Sequence, residues 1–428
     1  MKKTIAMLLN VILLSVLLAA CGGGTQPAGG GASSAGDAST GAAEAGASAA
    51  VETSTEAVEA ADLKVGLICL HDENSTYDNN FIKAFEESCA KLGVEYVIKP
   101  NVPEGQECYE EAANLADAGC SIIFADSFGH EDYMIQAAKE FPDVQFCHAT
   151  GTKAHTENLP NYHNAFAAIY EGRYLAGVAA GMKLNEMKEA GQLKGDAPKM
   201  GYVGAFTYAE VISGYTSFYL GAKSVCPDVT MDVTFTGSWY DETAEKEGAN
   251  KLIQGGCDLI SQHADSMGAP TACQDAGVPN VSYNGSTLSV GKDTYIVSSR
   301  INWSPYYEYC IQQVQAGAAI DTDWTGTIDS GSVALTELNE AVVAEGTQAK
   351  IDEVTEGLKN GTIHVFDTSA FTVDGQTLDS YMADVDTDAD YTPDTEVVTD
   401  GYFHESEFRS APYFDLSIDG IVRLDESF

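Results

Sequence analysis

The stretch CSIIFADSFGHEDYMIQAAKEFPDVQFCHAT, residues 120–150, decides the fold class of this chain. A short apolar run, CSIIFAD, precedes HEDYMIQAAKEF, in which apolar residues recur at helical spacing. A second β-rich run, VQFCHAT, then follows. A strand, a helix and a strand in this order form a βαβ unit, which joins two parallel strands. The stretch therefore predicts a parallel sheet covered by helices.

The same alternation extends toward the N-terminus and restarts later in the chain. The clearest further segments are LKVGLICL (63–70), NNFIKAFEESCAKLG (79–93), KMGYVGAF (199–206) and EVISGYTSFYLGAKSVC (210–226). Between the two sets, residues 167–187 predict one long helix. We therefore expect an α/β protein with two doubly wound parallel-sheet lobes joined by a hinge. The expected boundaries are 62–168 and roughly 286–320 for lobe 1, 169–285 and part of 321–380 for lobe 2, and 381–428 for an acidic C-terminal extension.

The N-terminal sequence is typical of export. Lys2 and Lys3 precede a nearly uncharged apolar run, and residues 1–20 therefore predict a signal peptide. LAAC, residues 18–21, resembles the lipobox of bacterial lipoproteins, which implies lipid attachment to the thiol of Cys21. The alternative is an ordinary signal peptide with a chance cysteine. Residues 21–61 lack aromatic side chains and predict a disordered linker. We expect an extracytoplasmic protein, lipid-anchored to the bacterial cell membrane.

Composition narrows the range of partners and cofactors. The formal net charge is −42, with 64 acidic and 22 basic residues, which argues against nucleic acid as a partner. The nine cysteines after Cys21 form no C-x-x-C pair, so we expect buried free thiols and no zinc site. The acidic segment 384–394 lacks the glycine and glutamate of a calcium loop, which favours a solvated loop over weak calcium binding. No metal and no cofactor are expected.

Candidate site residues follow the predicted strands. In doubly wound sheets, ligands bind beyond the carboxyl ends of the strands, and two facing lobes would bring these ends around one cleft. Aromatic side chains there would stack a flat ring, while Asp265 or Asn284 would contact its polar edge. The predicted ligand-binding residues are Tyr77, Asp126, Ser127, Phe128, Phe206, Trp239, Tyr240, Asp265, Asn284 and Trp303.

The same residues also fit two other roles, catalysis and helix capping. ADSFG, residues 125–129, approximates the G-x-S-x-G nucleophile elbow, and His263 with Asp265 could belong to a surface hydrolase. No complete triad, phosphate-binding loop or zinc signature accompanies them. Asp265 could also cap the next helix, and Ser127 could cap the helix that follows it. Ligand binding is the favoured interpretation, and we assign no catalytic residue.

Several longer strings carry a resemblance to a known family. They are NVPEG (101–105), SFG (127–129), FPDVQFCHATG (141–151), YEGRYLAGVAAG (170–181), SWYD (238–241), QHADS (262–266) and NWSPYY (302–307). Their order and spacing over roughly residues 65–367 resemble the basic membrane protein family of ABC-transporter substrate-binding lipoproteins, in particular its purine-binding branch.

The resemblance implies a type I periplasmic-binding fold that closes on a purine and delivers it to an ABC permease and ATPase complex. Nucleoside receptors of the family carry an Asp that binds ribose and, further along the chain, a Lys, at places that read Asn284 and Asn302 here. This difference favours a free base such as adenine, guanine or hypoxanthine. The branch usually carries Trp where this chain has Tyr77, which can also stack. A nucleoside or another small molecule, used for sensing rather than uptake, is the alternative.

Overall fold

The computed structural model describes residues 63–385 and 392–428. The predicted signal peptide, Cys21 and the linker lie outside these residues, as do residues 386–391 of the acidic segment 384–394. Within the described ranges, no helix combines the length and apolar character needed to cross a bilayer.

The first lobe is built around a six-stranded parallel sheet with the order β2-β1-β3-β4-β5-β11. Helices cover both of its faces, so its inner strands β1 and β3 are nearly continuous apolar runs rather than alternating ones. Its elements are β1 (Lys64–Ile68), α1 (Thr76–Leu92), β2 (Glu95–Lys99), α2 (Gln106–Asp117), β3 (Ile122–Ala125), α3 (Glu131–Glu140), β4 (Gln145–Ala149), α4 (Ala154–Glu157), β5 (Tyr162–Ala167), and later α9 (Ser304–Gln315) and β11 (Asp323–Gly326).

The second lobe repeats this winding in a seven-stranded sheet with the order β12-β10-β9-β8-β6-β7-β17. All neighbours are parallel except β10 and β12. Its elements are α5 (Ile169–Glu189), β6 (Lys199–Gly204), α6 (Ala209–Val225), β7 (Thr230–Phe235), α7 (Glu242–Gln254), β8 (Leu259–Gln262), α8 (Gly268–Ala276), β9 (Asn280–Tyr283), β10 (Tyr295–Ile301), β12 (Val333–Leu335), α10 (Thr347–Lys359) and β17 (Ile421–Arg423). The sequence expectation of two doubly wound lobes is confirmed.

The long helix α5 packs very closely against α6. A side chain at Gly177 would overlap the backbone of Phe218, and one at Gly221 would overlap the backbone of Tyr174. Only glycine permits this approach of two helix backbones. The pair buries one face of the second sheet and fixes α5 directly after the chain leaves the first lobe.

The chain crosses between the lobes differently from the sequence expectation for residues 286–320. Strand β10 pairs with β9 in the second sheet, so the chain returns to the first lobe only at α9 and β11. An apolar strand cannot be assigned to one of two parallel sheets from its own residues, because both sheets accept the same pattern.

The C-terminal extension is integrated into the second lobe. Phe366 stacks on Phe414 with ring centroids 4.3 Å apart, and β17 adds a parallel strand beside β7. The short antiparallel pairs β13 (Met382–Ala383) with β14 (Thr395–Glu396) and β15 (Val398–Thr399) with β16 (Tyr402–Phe403) complete the elements. The backbone N–H of Ser410 also donates to Asp323 Oδ2 at 2.8 Å, which links the extension to the first lobe.

Candidate functional site

A cavity lies between the lobes, beyond the carboxyl ends of β1 and β3 on one side and of β6 and β8 on the other. In each sheet this is the position where the strand order reverses, and doubly wound folds place their ligands there. The space between its walls, counting the part open to solvent, is about 390 Å³. Its lining residues are Leu70, His71, Tyr77, Asp78, Ser127, Phe128, Thr150, Glu210, Trp239, His263 and Asp265.

Three aromatic side chains from different elements wall the cavity. Tyr77 lies in the first turn of α1, and its hydroxyl donates to the backbone oxygen of Asp126 at 2.7 Å, which fixes the ring. Phe128 comes from the first lobe and remains 43% exposed, while Trp239 enters from the second lobe. Phe128 also meets Tyr208 across the cleft, with centroids 5.5 Å apart. The walls are therefore suited to a flat ring.

Asp265 is held in place by its backbone, which leaves its side chain available. Its N–H donates to the carbonyl of Trp239 at 3.0 Å, and its carbonyl accepts from the N–H of Thr76 in the other lobe at 3.1 Å. The residue is 5% exposed, and its carboxyl group makes no hydrogen bond with any described residue. Burial, reinforced by the nearby charge of Asp78, raises the pKa of Asp265 well above its usual value.

Asp78 faces the same cavity but has partners. Its Oδ1 accepts from the His71 N–H at 2.8 Å, and its Oδ2 accepts from the hydroxyl of Ser75, the N-cap of α1, at 2.6 Å. Burial by itself would raise the pKa of Asp78, yet these hydrogen bonds lower it on balance. The carboxyl groups of Asp78 and Asp265 therefore differ in character, because the first is satisfied by the protein and the second is not.

His263 is fixed from both ring nitrogens. Arg173 donates to Nδ1 at 2.9 Å, and Nε2 lies 2.9 Å from Glu210 Oε1. Burial, together with the charge of Arg173, lowers the pKa of His263. The ring is thus neutral with its proton on Nε2. Arg173 itself lies 3.3 Å from the centroid of the Tyr283 ring and donates to the carbonyl of Gln262, so this buried unit is rigid.

Three potential metal ligands lie beneath the cavity. The Cys69 thiol and the carboxylates of Asp78 and Asp126 are buried and within 4.8 Å of one another. Asp126 Oδ1 already accepts from the Leu70 N–H at 3.1 Å, while Oδ2 has no partner. Burial and the charge of Asp78 raise the pKa of Asp126 well above its usual value. The cluster therefore pairs a carboxyl group of raised pKa, Asp126, with one of lowered pKa, Asp78.

The structure brings together half of the residues predicted for the site. Tyr77, Ser127, Phe128, Trp239 and Asp265 line the cavity. The other five lie outside its wall.

Each of those five has an identifiable reason for its position. Phe206 packs edge-on against Trp239, and Tyr240 packs on His71. Asp126 lies below the wall, and Asn284 faces a different groove. Trp303 is 2% exposed and stacks on Phe81 in the first lobe's core.

The lining residues that sequence reasoning missed also follow strand ends. Leu70 and His71 come after β1, Thr150 comes after β4, and Asp78 and Glu210 lie in the first turns of α1 and α6. Asp126 and Asp265 were selected because they follow predicted strands. The same criterion, applied to every strand, would also have found Leu70, His71 and Thr150. Asp78 and Glu210 carry no such signal, because an acid in the first turn of a helix is common for electrostatic reasons alone.

The observed hydrogen bonds of Ser127 and Asp265 differ from those that a nucleophile elbow or a helix cap would make. The Ser127 hydroxyl donates to Glu104 Oε1 at 2.6 Å rather than to a histidine, and it makes no capping bond. Helix α8 begins at Gly268, and Ser266 rather than Asp265 accepts from its first N–H. Asp265 therefore does not serve as a cap. The nine cysteines that follow Cys21 are all buried and unpaired.

Comparison with known proteins identifies relatives of this chain. The family model described as ABC transporter substrate-binding protein PnrA-like matches residues 67–368. A purine-binding protein of Brucella abortus (strain 2308) is 36% identical over 267 residues, which cover 61% of this chain and 70% of that protein. A putative ABC transporter glucose-binding protein of Haloferax volcanii is 32% identical over 290 residues, covering 68% and 69% respectively.

Solved structures agree on the fold. An ABC transporter solute-binding protein from Conexibacter woesei superimposes with a TM-score of 0.58 at 22% identity, over 71% of this chain and 98% of that one. At this identity the likeness concerns the two-lobed architecture alone.

Proposed function

Because this chain belongs to the PnrA-like family of ABC transporter substrate-binding proteins, we propose that it binds a purine base between its lobes and delivers it to an ABC permease and ATPase complex. The observation that carries the proposal is the carboxylate of Asp265. It is buried, faces an aromatic-walled cavity and has no hydrogen-bond partner among the described residues.

The chemistry of a purine base fits these walls. The ring is flat, so Tyr77, Phe128 and Trp239 can each contribute stacking on the order of 1 kcal/mol. Ring and exocyclic N–H groups would donate to Asp265, and a buried acid without a donor is costly. The side chain of Glu210 adds further acceptor oxygens on the wall. The cavity therefore favours a neutral aromatic ligand rich in N–H donors.

The position of Asn284 supports a free base over a nucleoside. In the nucleoside receptors that this sequence resembles, the residue at this place binds ribose. Here Asn284 faces away from the cavity, and its Oδ1 accepts from Asn80 at 3.0 Å. A ribose bound in the cavity would find no contact from it.

The ligand can be tested with purified protein and a matched panel. We expect adenine, guanine or hypoxanthine to raise the melting temperature and to give a saturable isotherm by calorimetry. Guanosine tests the nucleoside alternative, and glucose tests the activity named for the Haloferax relative. A response to glucose alone, or to none of these compounds, would overturn the proposal. Mass spectrometry of co-purifying small molecules gives an independent answer.

We also propose that Cys21 carries a lipid that anchors the protein at the membrane surface. The support is the sequence LAAC after an apolar run, since residues 1–62 lie outside the described structure. We expect diacylglyceryl on the N-terminal peptide by mass spectrometry, and loss of the protein from the membrane fraction in Cys21→Ser. An unmodified Cys21 in membrane-associated protein would exclude the anchor.

A further inference from the structure

A second groove runs between the lobes, beside α1 and separate from the cavity. The first lobe contributes Asn79, Asn80 and Lys83 of α1, and the second lobe contributes Asn284, Arg300 and Asn302. The groove has a volume of about 360 Å³ and shares no lining residue with the cavity. Its walls are therefore polar and come from both lobes.

The two cations of this groove are exceptional in this chain. With 64 acidic residues against 22 basic ones, a Lys or Arg with no polar or ring contact at all is unexpected. Among the basic residues of ranges 63–385 and 392–428, Lys83 and Arg300 are the two without a hydrogen bond, an ion pair or a ring contact. The Nε of Arg300 is moreover buried and without an acceptor.

Asn284 adds a third donor that lacks a partner. The residue is 1% exposed and has a φ of 61°, a conformation that asparagine tolerates better than most residues. Its Oδ1 accepts from Asn80 Nδ2 across the lobes, and this bond orients the amide. Its Nδ2 is buried and has no acceptor among the described residues.

We propose that this groove binds a small oxyanion of the phosphate class, held by Lys83, Arg300 and the Asn284 amide. Unsatisfied buried N–H groups cost free energy, and an oxyanion supplies several acceptors at once. Glu73 and Glu87 also line the groove, but both are exposed and form no ion pair with either cation. The repulsion from the chain's net charge is screened within about 8 Å at physiological ionic strength.

The site would couple anion binding to lobe closure. Lys83 belongs to the first lobe and Arg300 to the second, so an oxyanion that contacts both stabilises the closed arrangement. If a ligand in the cavity also favours the closed arrangement, the anion and that ligand each raise the other's affinity by the same factor. The anion site itself stands on its own residues and does not depend on which molecule fills the cavity.

The test compares inorganic phosphate with chloride at matched ionic strength, using purified protein. We expect phosphate to raise the melting temperature in a saturable manner, and Arg300→Gln and Lys83→Gln each to weaken the effect about tenfold in half-saturating concentration. Lys292→Gln removes the same charge from an exposed site outside the groove and should leave the response unchanged. A parallel titration with succinate shows whether a carboxylate is preferred over a phosphate.

The possible outcomes are distinct. The proposal would be overturned if phosphate raised the melting temperature equally in the wild type, Arg300→Gln and Lys83→Gln. It would also be overturned if Lys292→Gln weakened the phosphate response as much as the two groove variants do. Circular dichroism verifies that each variant is folded, and Lys83 is exposed enough that its substitution leaves the core intact. A phosphate response that persists when no purine binds would show that the anion site holds even where the proposed function fails.

Discussion

Replacing Asp265 with Asn should weaken ligand binding while stabilising the unliganded protein. The backbone bonds of Asp265 to Trp239 and Thr76 do not involve the side chain, so they persist in the variant. The carboxylate lies buried near Asp78 without a compensating donor. Removing its charge should therefore raise the free energy of unfolding by about 1 kcal/mol. Each lost hydrogen bond from a ligand N–H to the carboxylate is worth about 1.5–3 kcal/mol, so Kd should rise roughly 10- to 100-fold.

The pH dependence of this gain has a definite sign. Because the folded-state pKa of Asp265 is raised, the wild type loses stability as pH rises from the unfolded value of 3.8 through the folded one. The advantage of Asp265→Asn should therefore be present at neutral pH and vanish near pH 3.8 and below.

Urea unfolding at pH 7 and at low pH, with calorimetry of a purine base, measures both effects. Asp275→Asn, an exposed acid that pairs with Lys246, is the matched control. An unchanged Kd, or a variant less stable than wild type by more than about 1 kcal/mol, would refute the role assigned to Asp265.

Three further predictions separate the site from the scaffold. Phe128→Ala should raise Kd for a purine base about fivefold by calorimetry with little change in melting temperature, because the ring is 43% exposed; an unchanged Kd would remove it from the wall. Trp303→Ala should lower the free energy of unfolding in urea by about 3–5 kcal/mol and leave Kd unaltered, since the indole is buried against Phe81; the reverse pattern would return it to the site. Burial lowers the pKa of His148 to about 4, so the folded state resists its protonation and loses stability as pH falls from about 6.5 toward 4. His148→Gln, which can still donate to Ser127, should reduce that loss by about 2–3 kcal/mol in urea unfolding at pH 7 and pH 4; an unaltered slope would contradict it.

The fold was predictable because its signal is repeated along the chain. Each βαβ unit carries its own periodicity, so an error in one segment would not have changed the class. Strand β10 marks the limit of this reasoning, since its sequence YIVSSRI, buried at every position except Arg300, fits either parallel sheet. Its partner is decided by β9 and by the return of the chain through α9, which are tertiary facts.

The cavity was predictable only in part, for a different reason. Position after a strand correctly brought Phe128, Trp239 and Asp265 to the cleft. Burial then separated residues that look alike in sequence, since Trp303 stacks into the core whereas Trp239 reaches the cavity. The role of Asp78 depends on its partners, His71 and Ser75, which no periodicity reveals.

The bond from Thr76 to the carbonyl of Asp265 separates two properties that binding proteins often combine. The side chain at this position faces the ligand, while the main chain of the same residue ties the lobes together. Substitutions here can change what is recognised without changing how the molecule closes. The position is therefore a suitable place to retune selectivity in a biosensor, and related sequences could diverge at it toward different ligands while keeping one closing motion.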